Sequence, residues 1–280
     1  MSSATKPVAV VVGATSKWQS DGRNTHLVHG GDIDDSTVPV YARWGVGGAI
    51  AQQFAAQGFH VVLTTRRASN AHALQAVIQA AGGDSSIVEM DVSDESSVVN
   101  AFAALADAGR VPEVVVYNAG YLEGRDLPAD QELLEFVPTE MFDTALHIAA
   151  RGPFLVAKQV LPVMREQGRG ALFFSNNAAA LRGRQRKTGQ SLYYPRIMMR
   201  TLAQVLTEEY SRHGIHIANV TIDGVIDSPG TRLLPMVQNK PELVMNPQKI
   251  AETFWYLYEQ DPSCWTHEIQ ITPHVGRVSF

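Results

Sequence analysis

Two adjacent tyrosines and an arginine late in the chain carry groups that could take part in chemistry. Tyr193 and Tyr194 precede Pro195, which suits the first turn of a helix, and Arg196 follows. A phenol can donate a proton, whereas a guanidinium keeps its charge and can act only as an electrostatic clamp. The amide of Asn177 could orient a carbonyl group. These four residues are the catalytic candidates, although both tyrosines could instead simply pack a substrate pocket.

Glycines in two separated stretches of the chain could approach a phosphate group. The stretches contribute Gly13 and Thr15, then Gly45, Val46 and Gly47. Joined across the intervening segment 16–43, they form a fingerprint whose backbone N–H groups and helix N-terminus would bind a pyrophosphate. The alternative is an ordinary strand-to-helix turn that carries a long loop. The position directly after the first apolar run favours a dinucleotide site.

Further candidate binding residues follow the ends of later apolar runs. Arg66 and Arg67 stand where an acidic residue would bind the ribose 2′-hydroxyl of NAD. Arginine suits a 2′-phosphate, so NADP(H) is the expected cofactor, and the alternative for both residues is a solvated loop charge. The other residues are Asp91 and Val92, expected beside the adenine, and Asn118, Ala119 and Gly120, expected where the cofactor lies against the sheet.

Apolar runs and helical patterns alternate along the whole chain. Unbroken β-branched runs are typical of parallel strands that are buried on both faces. Their alternation with helices predicts a single α/β domain over residues 1–280, a doubly wound Rossmann-type fold with a seven-stranded parallel sheet and helices on both faces. Strands are predicted at 8–12, 61–65, 87–90, 113–117, 171–175, 215–222 and 268–272, and helices at 48–57, 71–81, 96–108, 141–167, 195–213 and 247–260.

Composition narrows the classes of function. The chain has 280 residues, 45% of them hydrophobic, and a net charge of -5 without a basic block, so nucleic acid is not an expected partner. No apolar run reaches the roughly 18 residues of a membrane span, and the first residues lack a secretory signal, which predicts a cytoplasmic protein with no membrane partner. The single cysteine, Cys264, excludes an internal disulfide.

Taken together, these motifs resemble the short-chain dehydrogenase/reductase family. The resemblance runs from about residue 8 to 272 and rests on the strand order, the split fingerprint, Asp91–Val92 and Asn118–Gly120. Gly152–Phe154 and the segment 223–229 also match. In the family the latter segment braces the nicotinamide, which implies a cofactor contact for Ile226. Family members commonly pair helices across subunits, so a homodimer or homotetramer is expected.

The resemblance is weaker at the residues that perform the family's chemistry. Family members use a tyrosine acid, a nearby lysine, a serine and a helical asparagine. In this sequence the tyrosine and lysine positions hold Leu192 and Arg196. The other two positions hold Asn177 and Ala149. The resemblance therefore implies an atypical member, in which Tyr193 or Tyr194 serves as a displaced acid beside the Arg196 cation.

The segment 16–43 has no counterpart in the fingerprint. Both of its ends emerge at the expected pyrophosphate turn, so it must pass over or beside the cofactor cleft. It could be a lid that encloses substrate with cofactor, or it could partly occupy the dinucleotide site and abolish binding. His26, His29, Asp32 and Asp34 have metal-like spacing, but a solvated loop is the favoured interpretation, and no metal is predicted.

These observations lead to one expected function and two alternatives. We expect an NADP(H)-dependent reductase that acts on a small, partly apolar organic molecule at a carbonyl or an activated C=C or C=N bond. Loss of the tyrosine–lysine pair keeps open a non-redox isomerase or cyclase on the same fold. A protein that binds the cofactor as a sensor, without turnover, is the second alternative.

Overall fold

A seven-stranded parallel sheet forms the centre of the computed structural model, which describes residues 6–15, 36, 38–121, 134–181 and 195–276. The strand order is β3-β2-β1-β4-β5-β6-β9. This architecture confirms the predicted Rossmann-type fold. The strands are β1 Val8–Val12, β2 His60–Thr65, β3 Asp84–Glu89, β4 Pro112–Tyr117, β5 Gly170–Asn177, β6 Ile215–Ile222 and β9 Glu268–Ile271, and a separate pair is formed by β7 Val225–Ile226 and β8 Val244–Met245.

Helices cover both faces of the sheet. One hydrophobic cluster packs Phe54, Leu74 and Phe254 against one face, and another packs Val160 and Met199 against the opposite face. The described helices are α1 Val40–Arg43, α2 Gly45–Ala56, α3 His72–Ala80, α4 Glu95–Asp107, α5 Thr139–Leu146, α6 Gly152–Gln167, α7 Arg196–Tyr210, α8 Pro235–Asn239 and α9 Pro247–Tyr258. This two-sided covering explains why the central strands are rich in apolar residues.

Strand β1 shows most clearly how a central strand is buried on both of its faces. All five of its residues are buried. Because successive side chains point to opposite faces, Ala9 and Val11 enter one cluster while Val8, Val10 and Val12 enter the other. A polar residue at any of these positions would be buried without a partner.

Several element boundaries differ from the predicted ones. Helix α2 begins at Gly45 rather than at residue 48, so the second glycine stretch forms its first turn. The predicted helix 141–167 is divided by a π-helical turn, His147–Arg151. Strand β3 begins at Asp84, earlier than predicted, because its first three residues are polar and lack the apolar signal of a strand. These errors concern the ends of helices and strands and one irregular turn within a helix. Every predicted strand is present.

The order of the strands fixes where a ligand should bind. Strand β1 lies between β2 and β4, so the chain turns to opposite sides of the sheet at β1 and β4. Ligands of open α/β sheets bind in the crevice outside the carboxyl ends of strands at such a switch point. Within the described residues, no helix is long and apolar enough to cross a bilayer.

Candidate functional site

The two glycine stretches meet at the carboxyl end of β1. Gly13 has a φ of 80° and follows this strand directly. A Cβ atom at Gly47 would collide with the carbonyl oxygen of Gly13, and a Cβ at Gly13 would lie 2.7 Å from the Cα of Ala119. The amide of Asn118 donates to the same Gly13 oxygen over 2.9 Å. Side chains at positions 13 and 47 are therefore excluded by backbone contacts.

Helix α2 presents an uncapped N-terminus at this junction. It starts at Gly45, whose φ is 62°, and it continues for 12 residues. Its N-cap residue, Trp44, makes no side-chain capping hydrogen bond, and its first turn contains no acidic residue. The first N–H groups of a helix lack partners inside the helix and carry a partial positive charge. The junction thus has the donors and the potential that an anionic phosphate group requires.

Threonine hydroxyls join the ends of β1 and β2. The N–H of Gly13 donates to the Thr64 hydroxyl over 3.2 Å, and that hydroxyl donates to the carbonyl of Val11. The hydroxyls of Thr15 and Thr65 lie 3.2 Å apart. Thr15, a predicted binding residue, therefore lies beside the last residue of β2, and the arginines that follow β2 emerge next to the glycine junction.

Arg66 and Arg67 are exposed in the loop after β2. The N–H of Ala68 donates to a carboxylate oxygen of Glu89 over 2.7 Å, which anchors this loop to the end of β3. Within the described part of the chain, no ion pair involves either arginine. Both guanidinium groups are consequently accessible to a ligand beside the junction.

Asp91 and Val92 lie just beyond the end of β3. Asp91 accepts hydrogen bonds from the N–H and the hydroxyl of Ser93, over 2.9 and 2.6 Å. Val92 is buried, and its Cβ would lie 3.2 Å from a Cβ at Gly152. One carboxylate oxygen of Asp91 is therefore engaged in its own turn, and Val92 packs the neighbouring helix.

The end of β4 brings Gly120 against Arg196. Arg196 is buried, and its Nη1 lies 3.5 Å from the carbonyl oxygen of Ser175. Its own carbonyl accepts from the amide of Asn176 over 3.2 Å, and that amide also donates to Asn219 over 3.0 Å. The guanidinium is thus held at the carboxyl ends of β4 and β5, where a cation can stabilise negative charge.

Tyr117, the last residue of β4, is not a candidate proton donor. Its hydroxyl donates to the carbonyl of Ile148 in the π turn over 2.5 Å. Burial raises the pKa of Tyr117. The positive charge of Arg196 lowers this pKa in part, and the negative charge of Asp91 raises it further. Gly152 leaves room for the hydroxyl, because a Cβ there would contact it. The same turn contains the buried Ala149, so it presents a methyl group where the resemblance implies an asparagine.

Asn177 is partly engaged in local structure. Its side-chain oxygen accepts the N–H of Ala179 over 3.0 Å and caps the short 3-10 turn Ala178–Ala180. Its N–H donates to the side-chain oxygen of Asn176 over 2.9 Å. The oxygen of Asn177 is therefore used within the fold, which leaves its NH₂ group as the part suited to a carbonyl.

Ile226 belongs to β7, after the end of β6, and the sequence analysis did not predict the ion pair that follows it. Asp227 and Arg232 form a two-point ion pair, and Arg232 also reaches the hydroxyl of Tyr41 over 3.4 Å. The Asp227 carboxylate is only 2% exposed. Charge complementarity inside the segment 227–232 was a signal that could have suggested the ion pair, whereas nothing in the sequence connects it to Tyr41.

The structure brings several of the predicted binding residues together. Gly13, Gly47, Asn118 and Ala119 meet at one junction, and Gly120, which follows Ala119, lies against Arg196. Tyr193 and Tyr194 lie outside the described residues, as does the segment 16–35. The predicted His and Asp spacing falls in that segment. Among the described residues, no group of three His, Cys, Asp or Glu side chains could hold a metal ion.

Comparisons with known proteins agree with this geometry. A family model described as Enoyl-(Acyl carrier protein) reductase matches residues 40–269. Levodione reductase of Leifsonia aquatica is 30% identical over 215 residues, which cover 75% of this chain and 74% of that protein. The uncharacterized oxidoreductase YxbG of Bacillus subtilis is 28% identical over 212 residues, with 74% and 70% coverage.

Solved structures show the same likeness. A short-chain dehydrogenase from Rhodopseudomonas palustris superposes with a TM-score of 0.70 at 26% identity, covering 97% of this chain and 100% of that one. A metagenomic short-chain oxidoreductase in complex with NADP shares the fold with a TM-score of 0.70 at 22% identity, covering 98% and 100%. The chain belongs to the short-chain dehydrogenase/reductase family and is an oxidoreductase of that type.

Proposed function

We propose that the protein is an atypical NADP(H)-dependent reductase of a small, partly apolar organic molecule. Its substrate would present a carbonyl or an activated C=C or C=N bond. The observation that carries the proposal is the junction of Gly13 and Gly47 beside the uncapped start of α2. The junction lies at the switch point of the sheet, where backbone donors can approach a pyrophosphate without obstruction by side chains.

The residues present fit a dinucleotide. Gly13, Gly45 and Gly47 would hold the pyrophosphate, and Val46 adds its N–H in the first turn of α2. Ala119 and Gly120 would border the nicotinamide ribose, with Ile226 beyond it. Asp91 and Val92 would border the adenine. This assignment treats the two stretches as one fingerprint that the segment 16–43 divides.

Arg66 and Arg67 support NADP(H) as the cofactor. Both guanidinium groups are exposed next to the turn that would hold the adenosine ribose, and Ala68 anchors their loop. A planar guanidinium binds a phosphate through two parallel hydrogen bonds, and its charge offsets that of the phosphate. An acidic residue at these positions would repel the 2′-phosphate of NADP(H).

Arg196 supplies the fixed positive charge of the proposed active site. When bound, the nicotinamide would supply or accept a hydride. Arg196 would stabilise negative charge that develops on the acceptor or on a phenol, because it stays protonated and cannot act as a base. In this proposal Tyr193 or Tyr194 gives the proton, and the NH₂ group of Asn177 orients the substrate. An activated double bond needs less help from a strong acid than an isolated carbonyl does.

Calorimetric titration tests the proposal directly. The intact protein is titrated with NADPH and with NADH, and so is a variant that lacks residues 16–39 and keeps α1 with Tyr41. We expect the intact chain to bind NADPH more tightly than NADH, and candidate substrates are then screened by loss of nicotinamide absorbance. Binding that occurs only after the deletion would contradict the reductase assignment and favour a non-redox isomerase or cyclase whose insertion fills the cleft.

A further inference from the structure

A cluster of three side chains connects two segments that flank the proposed cofactor site. Tyr41 lies in α1, four residues before Gly45. Asp227 and Arg232 lie beyond β7, whose last residue is Ile226. We call Tyr41, Asp227 and Arg232 the Asp227 brace. None of these residues was a candidate site residue, although Asp227 lies in the segment 223–229 that the family resemblance covers.

The ion pair within the brace differs from an ordinary surface salt bridge. Nε and Nη2 of Arg232 donate to the two carboxylate oxygens of Asp227 over 2.6 and 2.7 Å. The Asp227 side chain is 2% exposed, whereas that of Arg232 is 34% exposed. A buried carboxylate that loses its paired cation is strongly unfavourable, because its charge has been removed from water. Arg232 is therefore held in one orientation by a geometrically specific contact.

Tyr41 extends this contact to the other side of the cleft. Its hydroxyl lies 3.4 Å from Nη2 of Arg232. Burial raises the pKa of Tyr41, and the charge of Asp227 and a hydrogen bond with that carboxylate add to the effect. The phenol thus stays protonated and touches both members of the ion pair. Since α1 leads directly into α2, this contact is tied to the pyrophosphate junction.

The turn that contains Arg232 also fixes Ile226. The hydroxyl of Thr231 donates to the carbonyl of Ile226 over 2.7 Å. It also accepts the N–H of Ser228 over 2.9 Å, and the N–H of Arg232 donates to the carbonyl of Ser228 over 3.1 Å. Because these hydrogen bonds link the two residues, a displacement of Arg232 would also displace Ile226.

We propose that the Asp227 brace is a set of positioning residues that holds Ile226 in register with the N-terminus of α2. In this inference, which rests on the proposed function, the nicotinamide and pyrophosphate sites are fixed relative to each other before the cofactor arrives. The brace pre-organises binding of the dinucleotide, because the Ile226 segment does not have to be ordered during association.

Three variants and two controls test the brace. Tyr41→Phe removes one hydroxyl, Asp227→Asn removes the buried charge, and Arg232→Lys keeps the charge but loses the two-point contact. Tyr256→Phe is the control for the phenol, since Tyr256 is exposed on α9. Glu252→Gln is the control for the carboxylate and breaks only the exposed pair with Lys249.

The measurements separate positioning from folding. We expect Tyr41→Phe to bind NADPH about five- to tenfold more weakly in calorimetry, as expected for one hydrogen bond, with an unchanged Tm. Asp227→Asn should lose more affinity for NADPH than Tyr41→Phe does. The NADPH affinity of Arg232→Lys should lie between that of Asp227→Asn and that of the native protein. Trypsin should cleave after Arg232 faster in Tyr41→Phe and Asp227→Asn than in the native chain or either control.

The outcomes distinguish this inference from the proposed function. A native protein that binds neither NADPH nor NADH refutes the cofactor assignment, while the trypsin comparison in the absence of cofactor still tests the brace. Native affinity and native cleavage rates in both Tyr41→Phe and Asp227→Asn would overturn the inference. The inference would also be overturned if the control Tyr256→Phe lost as much NADPH affinity as Tyr41→Phe.

Discussion

The guanidinium of Arg196 occupies the space that a side chain at position 120 would need. An ideal Cβ on Gly120 would lie 2.6 Å from Nη2 of Arg196. Arg196 is buried, and its Nη1 lies 3.5 Å from the carbonyl oxygen of Ser175. A side chain at position 120 would therefore require the end of the Arg196 side chain to shift from this place.

Substitution of Gly120 by alanine should displace the Arg196 guanidinium. We expect Gly120→Ala to change the free energy of unfolding by no more than about 0.5 kcal/mol, because Gly120 is exposed and the end of the Arg196 side chain can shift. Turnover with NADPH should fall by up to about a hundredfold, since displacement weakens an electrostatic contact whose full removal costs about 10²–10³ in rate. Thermal unfolding and steady-state rates check the two effects.

Gly109→Ala provides the control for this substitution. Gly109 has a φ of 65° and open space around its Cα, so alanine there meets only backbone strain, about 1–2 kcal/mol. It should lower stability without lowering turnover. Full turnover in Gly120→Ala would show that turnover does not depend on the present position of the Arg196 guanidinium.

Substitution of Arg66 tests the preference for the 2′-phosphate. Arg66→Ala should weaken NADPH binding about ten- to a hundredfold, which corresponds to one charge-assisted hydrogen bond. NADH binding should stay unchanged, because NADH lacks that phosphate. Calorimetry with both nucleotides gives the ratio of the NADPH affinity to the NADH affinity. Arg165→Ala, at the last turn of α6, makes the same change in net charge and should alter neither affinity; equal losses for NADPH and NADH in Arg66→Ala would contradict the prediction.

The central strands could be predicted from the sequence because burial on both faces leaves a direct signal. All eight residues of β6 are buried, and the sequence predicts that strand with its observed bounds. The carboxyl ends of such strands then give the position of the binding crevice. Strand β3 shows the limit of this signal. Its first three residues, 84–86, are polar, so a prediction based on apolar runs places the start of the strand at residue 87.

Contacts between distant segments could not be predicted in the same way. Tyr41 meets Arg232 only because the fold brings α1 beside the turn after β7, and no local pattern encodes that approach. The approach of the Arg196 guanidinium to Gly120 likewise joins two residues that are distant in sequence. The π turn at His147–Arg151, by contrast, leaves a local signal in the sequence, because Pro153 follows it and a proline interrupts a regular helix.

Exposed apolar side chains on α6 and α7 predict self-association. Phe154, Met198 and Val205 are 50%, 52% and 46% exposed. Such groups on neighbouring helices are typical of a contact between subunits. Light scattering should give the mass of a dimer or tetramer, and the double variant Phe154→Lys/Val205→Lys should give that of a monomer. Val111→Lys, at a 41% exposed position before β4, should leave the native mass unchanged; a monomeric native protein would refute the prediction.

His216 couples the stability of the sheet edge to pH. Its ring is stacked on Trp265, with the ring centroids 4.8 Å apart, and it is 3% exposed. Nε2 lies 2.9 Å from the carbonyl oxygen of Thr266, so this nitrogen carries the proton of the neutral ring. Burial lowers the pKa of His216 below its usual 6.5, and the nearby His267 adds to the effect. The folded state therefore prefers the neutral imidazole.

The sign of the pH effect follows from this lowered pKa. The contribution of neutral His216 is fully present above pH 6.5, its pKa in the unfolded chain, and is lost as the pH falls through the folded pKa. The slope from this group is at most about 1.4 kcal/mol per pH unit, the value for one proton. Urea unfolding at a series of pH values should show a smaller acid-induced loss of stability in His216→Gln, whose amide can still donate to Thr266. His72→Gln, at an exposed position, should keep the native pH dependence. An unchanged pH dependence in His216→Gln would instead place the acid sensitivity at other groups.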